Sequence, residues 1–373
     1  MSFEVVYTSV RRGLRTGAKG FCTVAATEGI PRALHDKLES LSGYRHTEAA
    51  AGSIPPVNHS HLIVRIQRQV FHVLSRIGDA GIDYSGRTNK IAHHLALTSE
   101  EAERFPAGPG PLLADDGFWF DRWDHEPEEL PPGRLPDAGM DSADDFSTWE
   151  SVFGDAGWAG VLGQSVADGM KPVSIIVPNG NHTRDLLAEA LQLVPADQRW
   201  RLCFSTYFSR LASGTQCHWR FVLDGTGEAR RLRARSSLAV MDYSGGTLPL
   251  TEDNPFVQAA RTGRPELAHA VANVQSRRRP ASGRVSRDAA GDTGMTRRSG
   301  RTRRGQAAES RPRPVTAANP FDYNEADFEP AEEQTDRSVR SSPGSGRLGL
   351  WLVLVLFLAV VGVLAFFGIQ QLS

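Results

Sequence analysis

The sequence predicts an α+β fold: two mixed α/β soluble domains, then a disordered linker and a single C-terminal transmembrane helix. Short β-branched and aromatic runs alternate with segments of helical periodicity through the first two thirds of the chain. Residues 276–347 are rich in Arg, Ser, Gly, Pro and acidic side chains, a composition that cannot bury enough apolar surface to fold. Residues 348–369 are all apolar or glycine. We therefore place the two domains at 1–137 and 138–275.

The first domain is predicted to begin with two strands, a helix and a hairpin. Its strands are expected at 3–10, 21–27, 59–66 and 69–77. Pro31 suits the first turn of a helix, and leucines recur at helical spacing after it. A short polar turn separates the last two strands, which predicts that they pair as a hairpin. Residues 79–97 are expected to run from a turn-rich loop into a strand or a short helix.

The second domain is predicted to mix helices and strands. Helices are expected at 145–166 and 181–195, and strands at 173–178, 199–209 and 216–225. The tetrapeptide DGTG at 224–227 is typical of a hairpin turn, which would lead into a further strand.

Composition excludes some classes of protein. Lys and Arg number 42 against 43 Asp and Glu, so a uniformly basic nucleic-acid binder is excluded, and we do not expect nucleic acid as a partner. Cys22, Cys203 and Cys217 form no CxxC pair, which argues against a disulfide framework and against a four-thiolate zinc site. We expect no cofactor.

The apolar segment at 348–369 predicts one membrane crossing. Its 22 residues, at about 1.5 Å each, span about 33 Å, enough for a bilayer core. Arg337, Arg340 and Arg347 precede the segment, and no charged residue follows it. By the positive-inside rule the N-terminal body faces the cytoplasm. The expected location is the cytoplasmic membrane, with the protein tail-anchored and single-pass.

The predicted linker is divided by charge. It holds 15 arginines and 10 acidic residues, with ten of the arginines between 277 and 304 and most acidic residues between 322 and 336. The arginine block is a candidate for contact with anionic lipid, since each basic residue near such a surface contributes about 1 kcal/mol. A solvated linker explains the same composition. The aromatic and acidic segment at 319–328 is a candidate docking peptide.

One polar segment stands out as a candidate binding loop. Its residues combine an aromatic ring, a planar guanidinium, an amide, an ammonium group and two imidazoles, which together offer donors and acceptors for a ligand or a partner. They are Tyr84, Ser85, Arg87, Asn89, Lys90, His93 and His94. A hydrogen-bonded structural loop accounts for the same residues equally well.

Histidines and nucleophiles give weaker hypotheses. His59, His61 and His72 could bind a metal from two facing strands, although half-buried structural imidazoles explain them more simply. Cys22 with a histidine partner, or Ser85 with His94, could act as a nucleophile, but no catalytic motif accompanies either pair. The glycine-rich loop at 13–20 lacks the Lys-Ser/Thr end of a phosphate-binding Walker loop. We assign no catalytic residue.

Four long stretches carry a family resemblance: 7–31, 71–97, 153–162 and 201–225. The first two resemble the type 2 N-terminal domain of bacterial GTPase-associated protein 1, and the other two resemble the region that follows it. The resemblance implies a protein that partners a GTPase in a bacterial signalling or biological-conflict system, and it implies no catalytic residues.

Together, the membrane segment, the long linker and the resemblance predict a membrane-anchored cytosolic adaptor or scaffold whose protein partner is a GTPase. The alternative is a membrane-tethered metal- or histidine-dependent enzyme that acts on a nucleotide or a peptide.

Overall fold

A computed structural model describes residues 1–44, 55–137, 146–178, 182–210, 212–235, 239–242 and 253–278. The predicted transmembrane helix at 348–369 lies outside these residues, as does the predicted linker from residue 279 onward. Among the described helices, none combines the length and the apolar character needed to cross a membrane. We call residues 1–278 the body of the protein.

The strands described within residues 1–137 are antiparallel except for one short parallel strand at the edge, and short helices lie beside them. The strands are β1 (Phe3–Val10), β2 (Gly20–Thr27), β3 (Asn58–Ile66), β4 (Gln69–Ile82), β5 (Thr88–Thr98) and β6 (Glu128–Leu130). The helices are α1 (Arg32–Leu41), α2 (Ser99–Glu103) and α3 (Pro109–Ala114). The predicted hairpin is confirmed, because β3 and β4 pair along their whole facing length. The segment 79–97 proves to be the end of β4, a tight turn and most of β5.

The rest of the body alternates helices with short strands. Its strands are β7 (Val173–Val177), β8 (Phe204–Ser205), β9 (Trp219–Leu223) and β10 (Ala239–Asp242). Its helices are α4 (Ser147–Phe153), α5 (Gly157–Ala167), α6 (Thr183–Gln192), α7 (Ala196–Arg199), α8 (Gly227–Arg233), α9 (Pro255–Arg261) and α10 (Pro265–Arg278). The last helix extends three residues into the segment predicted as linker.

The prediction of a hairpin turn at 224–227 is wrong. Thr226 instead caps the start of α8, where its hydroxyl oxygen accepts a hydrogen bond from the Ala229 N–H at 3.2 Å. Arginines in the last turn of α8 favour the helix, because cations stabilise the negative end of its dipole. The strand before this helix, β9, pairs in parallel with β7.

The single helix predicted at 145–166 is two helices. The first, α4, ends at Gly154, which has a φ of 74°. This left-handed conformation is accessible to glycine at little cost and commonly ends a helix. The apolar pattern continues past the break, so periodicity alone does not reveal it.

All ten described strands belong to one sheet. Their order is β10-β7-β9-β8-β3-β4-β5-β1-β2-β6. The antiparallel group β3 to β2 meets the later strands where β3 pairs with β8, at Ser60 opposite Ser205 and His61 opposite Phe204. Both predicted domains thus contribute to the same sheet, while the boundary between them at residue 137 stays a prediction.

The two faces of the antiparallel strands are covered differently. On one face α1 packs Leu34 and Leu38 against a group of residues that includes Phe71. The other face joins a larger apolar cluster, in which Leu74 and Leu95 lie with side chains of the later helices and strands. The turn between β1 and β2 and the turn between β4 and β5 lie near solvent at the same end of the sheet. The predicted binding loop begins in the second of these turns.

Candidate functional site

The turn between β4 and β5 is organised by the carboxylate of Asp83. Its side chain is fully buried, and Oδ1 accepts hydrogen bonds from the Ser85 hydroxyl at 2.6 Å and from the Arg87 N–H at 3.1 Å. Oδ2 accepts from the Ser9 hydroxyl on β1 at 2.8 Å. The hydrogen bond from Ser85, with those from Ser9 and Arg87, lowers the pKa of Asp83 although burial opposes this. The ionised carboxylate therefore fixes the turn to β1.

Three residues of the predicted binding loop make hydrogen bonds within the protein: Ser85, Arg87 and Asn89. Arg87 Nε donates to Ser85 Oγ at 2.8 Å, and its Nη2 lies 3.4 Å from Asp83 Oδ2. Asn89 Oδ1 accepts from the Ser9 N–H at 3.1 Å, which ties β5 to β1. These contacts give the three residues a structural role. Ligand or partner binding by them stays a prediction.

His93 and His94 lie inside the body on opposite faces of β5, and both are fully buried. His93 Nε2 lies 3.0 Å from Glu4 Oε2, whereas His94 bonds Ser75 through Nδ1 at 2.7 Å and Ser42 through Nε2 at 2.9 Å. Burial lowers the pKa of His93 and lowers that of His94 to about 3. The structure therefore separates these two histidines from the exposed part of the predicted loop.

The other two residues of the predicted loop, Tyr84 and Lys90, contact aromatic rings and a guanidinium that were not predicted as site residues. Lys90 Nζ is 5.2 Å from the Phe21 ring centre and 6.0 Å from that of Tyr7, and the guanidinium of Arg11 lies 5.5 Å from the Tyr84 ring centre. These are cation–π distances. We call this group the aromatic surface. Its members are Tyr7, Arg11, Phe21, Ile82, Tyr84 and Lys90.

The aromatic surface is accessible. Phe21 and Tyr84 each expose 41% of their surface and Ile82 exposes 66%, which makes them three of the six exposed large apolar residues in the described chain. The pairing of Ser9 with Phe21 and of Ile82 with Thr88 brings the two turns to one end of the sheet. Sequence reasoning missed Phe21 and Ile82 because this juxtaposition depends on strand order. The sequence feature that could have indicated Phe21 is its position directly after a glycine-rich turn.

The three histidines considered as metal ligands, His59, His61 and His72, do not form a group of three ligand atoms, although His61 and His72 are in contact. His61 Nδ1 donates to the Leu202 carbonyl at 2.7 Å, so its Nε2 is left to accept from His72 Nδ1 at 3.1 Å. The Nε2 of His59 is buried and has no hydrogen-bond partner among the described residues. Burial lowers the pKa of His61 to about 3 and that of His72 to about 4. These imidazoles are neutral parts of the core.

Within the described ranges, one group of three possible metal ligands comes together: His35, Asp36 and Glu39 of α1, with ligand atoms within 4.8 Å of one another. The charges around the group oppose a cation. Arg15 Nη2 lies 3.2 Å from His35 Nδ1, and the guanidiniums of Arg15 and Arg32 lie 3.7 and 3.6 Å from the Asp36 carboxylate. Two fixed positive charges at this distance disfavour a divalent metal ion.

The nucleophile pairs considered from the sequence are not assembled. Ser85 donates its hydroxyl to Asp83, while His94 is bonded to two other serines inside the body. The Cys22 thiol donates to the Gly20 carbonyl at 3.3 Å. Burial, with a smaller contribution from Glu39, raises the pKa of Cys22, so the thiol form is favoured over the nucleophilic thiolate.

The fold defines a mixed α/β protein with one large sheet. Comparison with family models identifies it further: residues 1–136 match GTPase-associated protein 1, N-terminal domain type 2, and residues 146–245 match GTPase-associated protein 1, middle domain. The chain belongs to the GTPase-associated protein 1 family. No curated protein matches the chain. The two domains, in this order, indicate association with a GTPase and confirm the family predicted from the sequence.

Proposed function

We propose that the protein is a membrane-anchored adaptor that binds a GTPase through the aromatic surface. The family membership supports the class of partner. The observation that carries the proposed site is the exposure of Phe21 and Tyr84 beside Lys90 and Arg11. Tyrosine and arginine are enriched at the centres of protein interfaces, where aromatic side chains contribute large contact areas and lose little entropy.

Contacts within the protein hold the aromatic surface in place before a partner binds, which favours binding. Asp83 holds the β4–β5 turn to Ser9 of β1, and the Arg11 guanidinium lies over the Tyr84 ring. Side chains already ordered in the free protein lose less conformational entropy when a partner binds. The cations of the surface would also attract an acidic partner and raise the association rate.

The anchoring part of the proposal rests on the sequence. The apolar segment at 348–369 is long enough to cross a bilayer, and the arginines before it favour a cytoplasmic body. The arginine block at 277–304 would add contact with anionic lipid. We expect the full chain to stay with membranes after alkaline carbonate washing, whereas a chain ending at residue 347 should be released. Release of the full chain would contradict anchoring.

The partner part is tested by affinity purification of the full chain from detergent extracts of the cells that make it. We expect a GTPase to be recovered with the unaltered chain and to be lost with the double variant Phe21→Ala, Tyr84→Ala. The matched control is Leu267→Ala, because Leu267 of α10 is equally exposed, at 40%, and lies outside the aromatic surface. Equal recovery of the GTPase with the double variant would refute the proposed surface.

A further inference from the structure

An open cleft of about 850 Å³ lies beside the start of α1. Arg15, Arg32 and His35 line it from the β1–β2 loop and from α1, while Glu128 and Glu129 line it from the edge strand β6. Small-molecule sites commonly have volumes of roughly 300–1,000 Å³. The cleft is therefore large enough for a ligand the size of a nucleotide, and it shares no residue with the aromatic surface.

The two arginines are positioned by a shared carboxylate. Asp36 Oδ1 lies 3.7 Å from Arg15 Nη2, and Asp36 Oδ2 lies 3.6 Å from Arg32 Nε. Arg15 also contacts Nδ1 of the buried His35 at 3.2 Å. Arg15 remains 57% and Arg32 86% exposed at the side chain. Each guanidinium has five N–H donors, so most donors of the pair stay accessible to an anion, and a planar guanidinium fork matches phosphate oxygens.

The loop that carries Arg15 has a fixed shape. The Gly13 N–H donates to the Ala18 carbonyl at 2.8 Å, and the Leu14 N–H donates to the Thr23 carbonyl of β2 at 2.8 Å. A Cβ at Gly13 would lie 2.5 Å from Cys22 Sγ, so the loop is packed closely onto β2. The position of Arg15 is thereby set by the backbone as well as by Asp36.

Glu129 of β6 adds a carboxylate acceptor on the face of the sheet that carries α1 and the cleft, whereas the Glu128 side chain points to the opposite face with Leu130, because side chains alternate along a strand. Glu128 pairs with Ala25 and Glu129 with Ala26 across the parallel β2–β6 ladder, and both side chains belong to exposed residues. Ionised carboxylates accept hydrogen bonds and donate none. A ligand that fits the cleft therefore combines an anionic group for the arginines with N–H or O–H donors for the Glu129 carboxylate.

We propose that this cleft binds a guanine nucleotide. Its phosphates would lie against Arg15 and Arg32, and its donor groups would face the Glu129 carboxylate. Guanine presents two adjacent N–H donors, which match the two oxygens of one carboxylate, whereas adenine presents a donor next to an acceptor. Leu14 and Ile30, which pack on the core beneath, give the cleft an apolar part for the base. The proposal involves binding alone.

The test is equilibrium dialysis of the detergent-solubilised full chain with labelled GDP and, separately, labelled ADP. We expect saturable GDP binding, at least about tenfold tighter than that of ADP, and at least a tenfold loss for Arg15→Ala and for Arg32→Ala, because each removes charge-assisted hydrogen bonds. Arg68→Ala, in the exposed turn between β3 and β4, is the matched control and should bind GDP normally.

A variant of the one carboxylate on the cleft side, Glu129→Gln, separates the two parts of the site. It should weaken GDP binding and leave competition by inorganic pyrophosphate unchanged, since pyrophosphate reaches the arginines alone. Absence of saturable GDP binding, or equal GDP binding by the Arg15→Ala and Arg32→Ala variants, would overturn the proposal. Equal affinity for ADP and GDP would overturn the assignment of guanine. Unchanged melting temperatures for all variants show that binding, and not folding, was altered.

Discussion

At the scale of single residues, buried histidines make the body sensitive to acid. Burial lowers the pKa of His59, His61 and His94 from 6.5 to about 3 each. In the folded protein these imidazoles are therefore neutral at pH 5, whereas the unfolded chain binds protons below pH 6.5. Because the unfolded state binds more protons in this range, stability must fall as the pH falls.

We predict that the free energy of unfolding falls between pH 7 and pH 5, by up to about 2 kcal/mol for each of these histidines. Urea unfolding at several pH values, followed by tryptophan fluorescence, measures it. His94→Asn should reduce the dependence on pH, and His125→Asn, which changes an exposed histidine, should leave it as it was. A stability that is level from pH 7 to pH 5 would contradict neutral buried imidazoles.

The same residues show why the candidate site was only partly predictable. The sequence placed Tyr84 and Lys90 in one segment with His93 and His94, but alternation along β5 puts the two histidines inside, on opposite faces. Asp83 organises the turn, yet nothing in its immediate sequence indicates that it would be buried. Phe21 joins the site because β2 pairs with β1 and β1 pairs with β5, an order of strands that local patterns do not encode.

At the scale of elements, long periodic segments were predictable and short or capped ones were not. The β3–β4 hairpin followed from two apolar runs around a polar turn. The helix α8 was missed because DGTG is a common hairpin sequence, whereas Thr226 in this chain serves as a helix cap. β8 has two residues and is defined by its neighbours β3 and β9. The sequence predicted a strand over 199–209, and the structure keeps only these two residues of it, because residue 199 ends the helix α7.

Close packing of α5 on α9 gives a prediction at this scale. A Cβ at Gly160 would lie 2.6 Å from backbone atoms of Phe256 and Val257, and backbone cannot move aside as a flexible side chain does. Gly160→Ala should therefore destabilise the body by about 1–3 kcal/mol. Thermal unfolding measures the change. Gly43→Ala is the control, since no atom lies within 4 Å of the added methyl group; equal melting temperatures for the two variants would contradict the packing.

At the scale of the whole molecule, one sheet and one large apolar cluster unite the two family domains. Leu74 and Leu95 of the antiparallel strands share this cluster with Trp149 and Trp219. The tryptophan rings are fully buried and tied by hydrogen bonds, from Trp149 Nε1 to the Leu186 carbonyl at 2.8 Å and from Trp219 Nε1 to Ser165 Oγ at 3.1 Å. The face of the antiparallel strands that carries Leu74 and Leu95 is thus covered by side chains of the second family domain.

We predict that the fragment 1–137 does not unfold cooperatively when it is produced alone, because the face of Leu74 and Leu95 would lie open to water. The body 1–278 should unfold in a single transition. Circular dichroism and dye binding to exposed apolar surface distinguish the two cases. A sharp thermal transition for the fragment, without dye binding, would show that its core is independent.

We propose that a GTPase binds this member of the GTPase-associated protein 1 family at the aromatic surface. The most direct measurement is amide hydrogen exchange of the full chain with and without the purified GTPase. We predict slowed exchange in residues 80–92 and 19–23, with α9 and α10 unchanged. Slowed exchange confined to α9 and α10, with both turns unaffected, would contradict the claim.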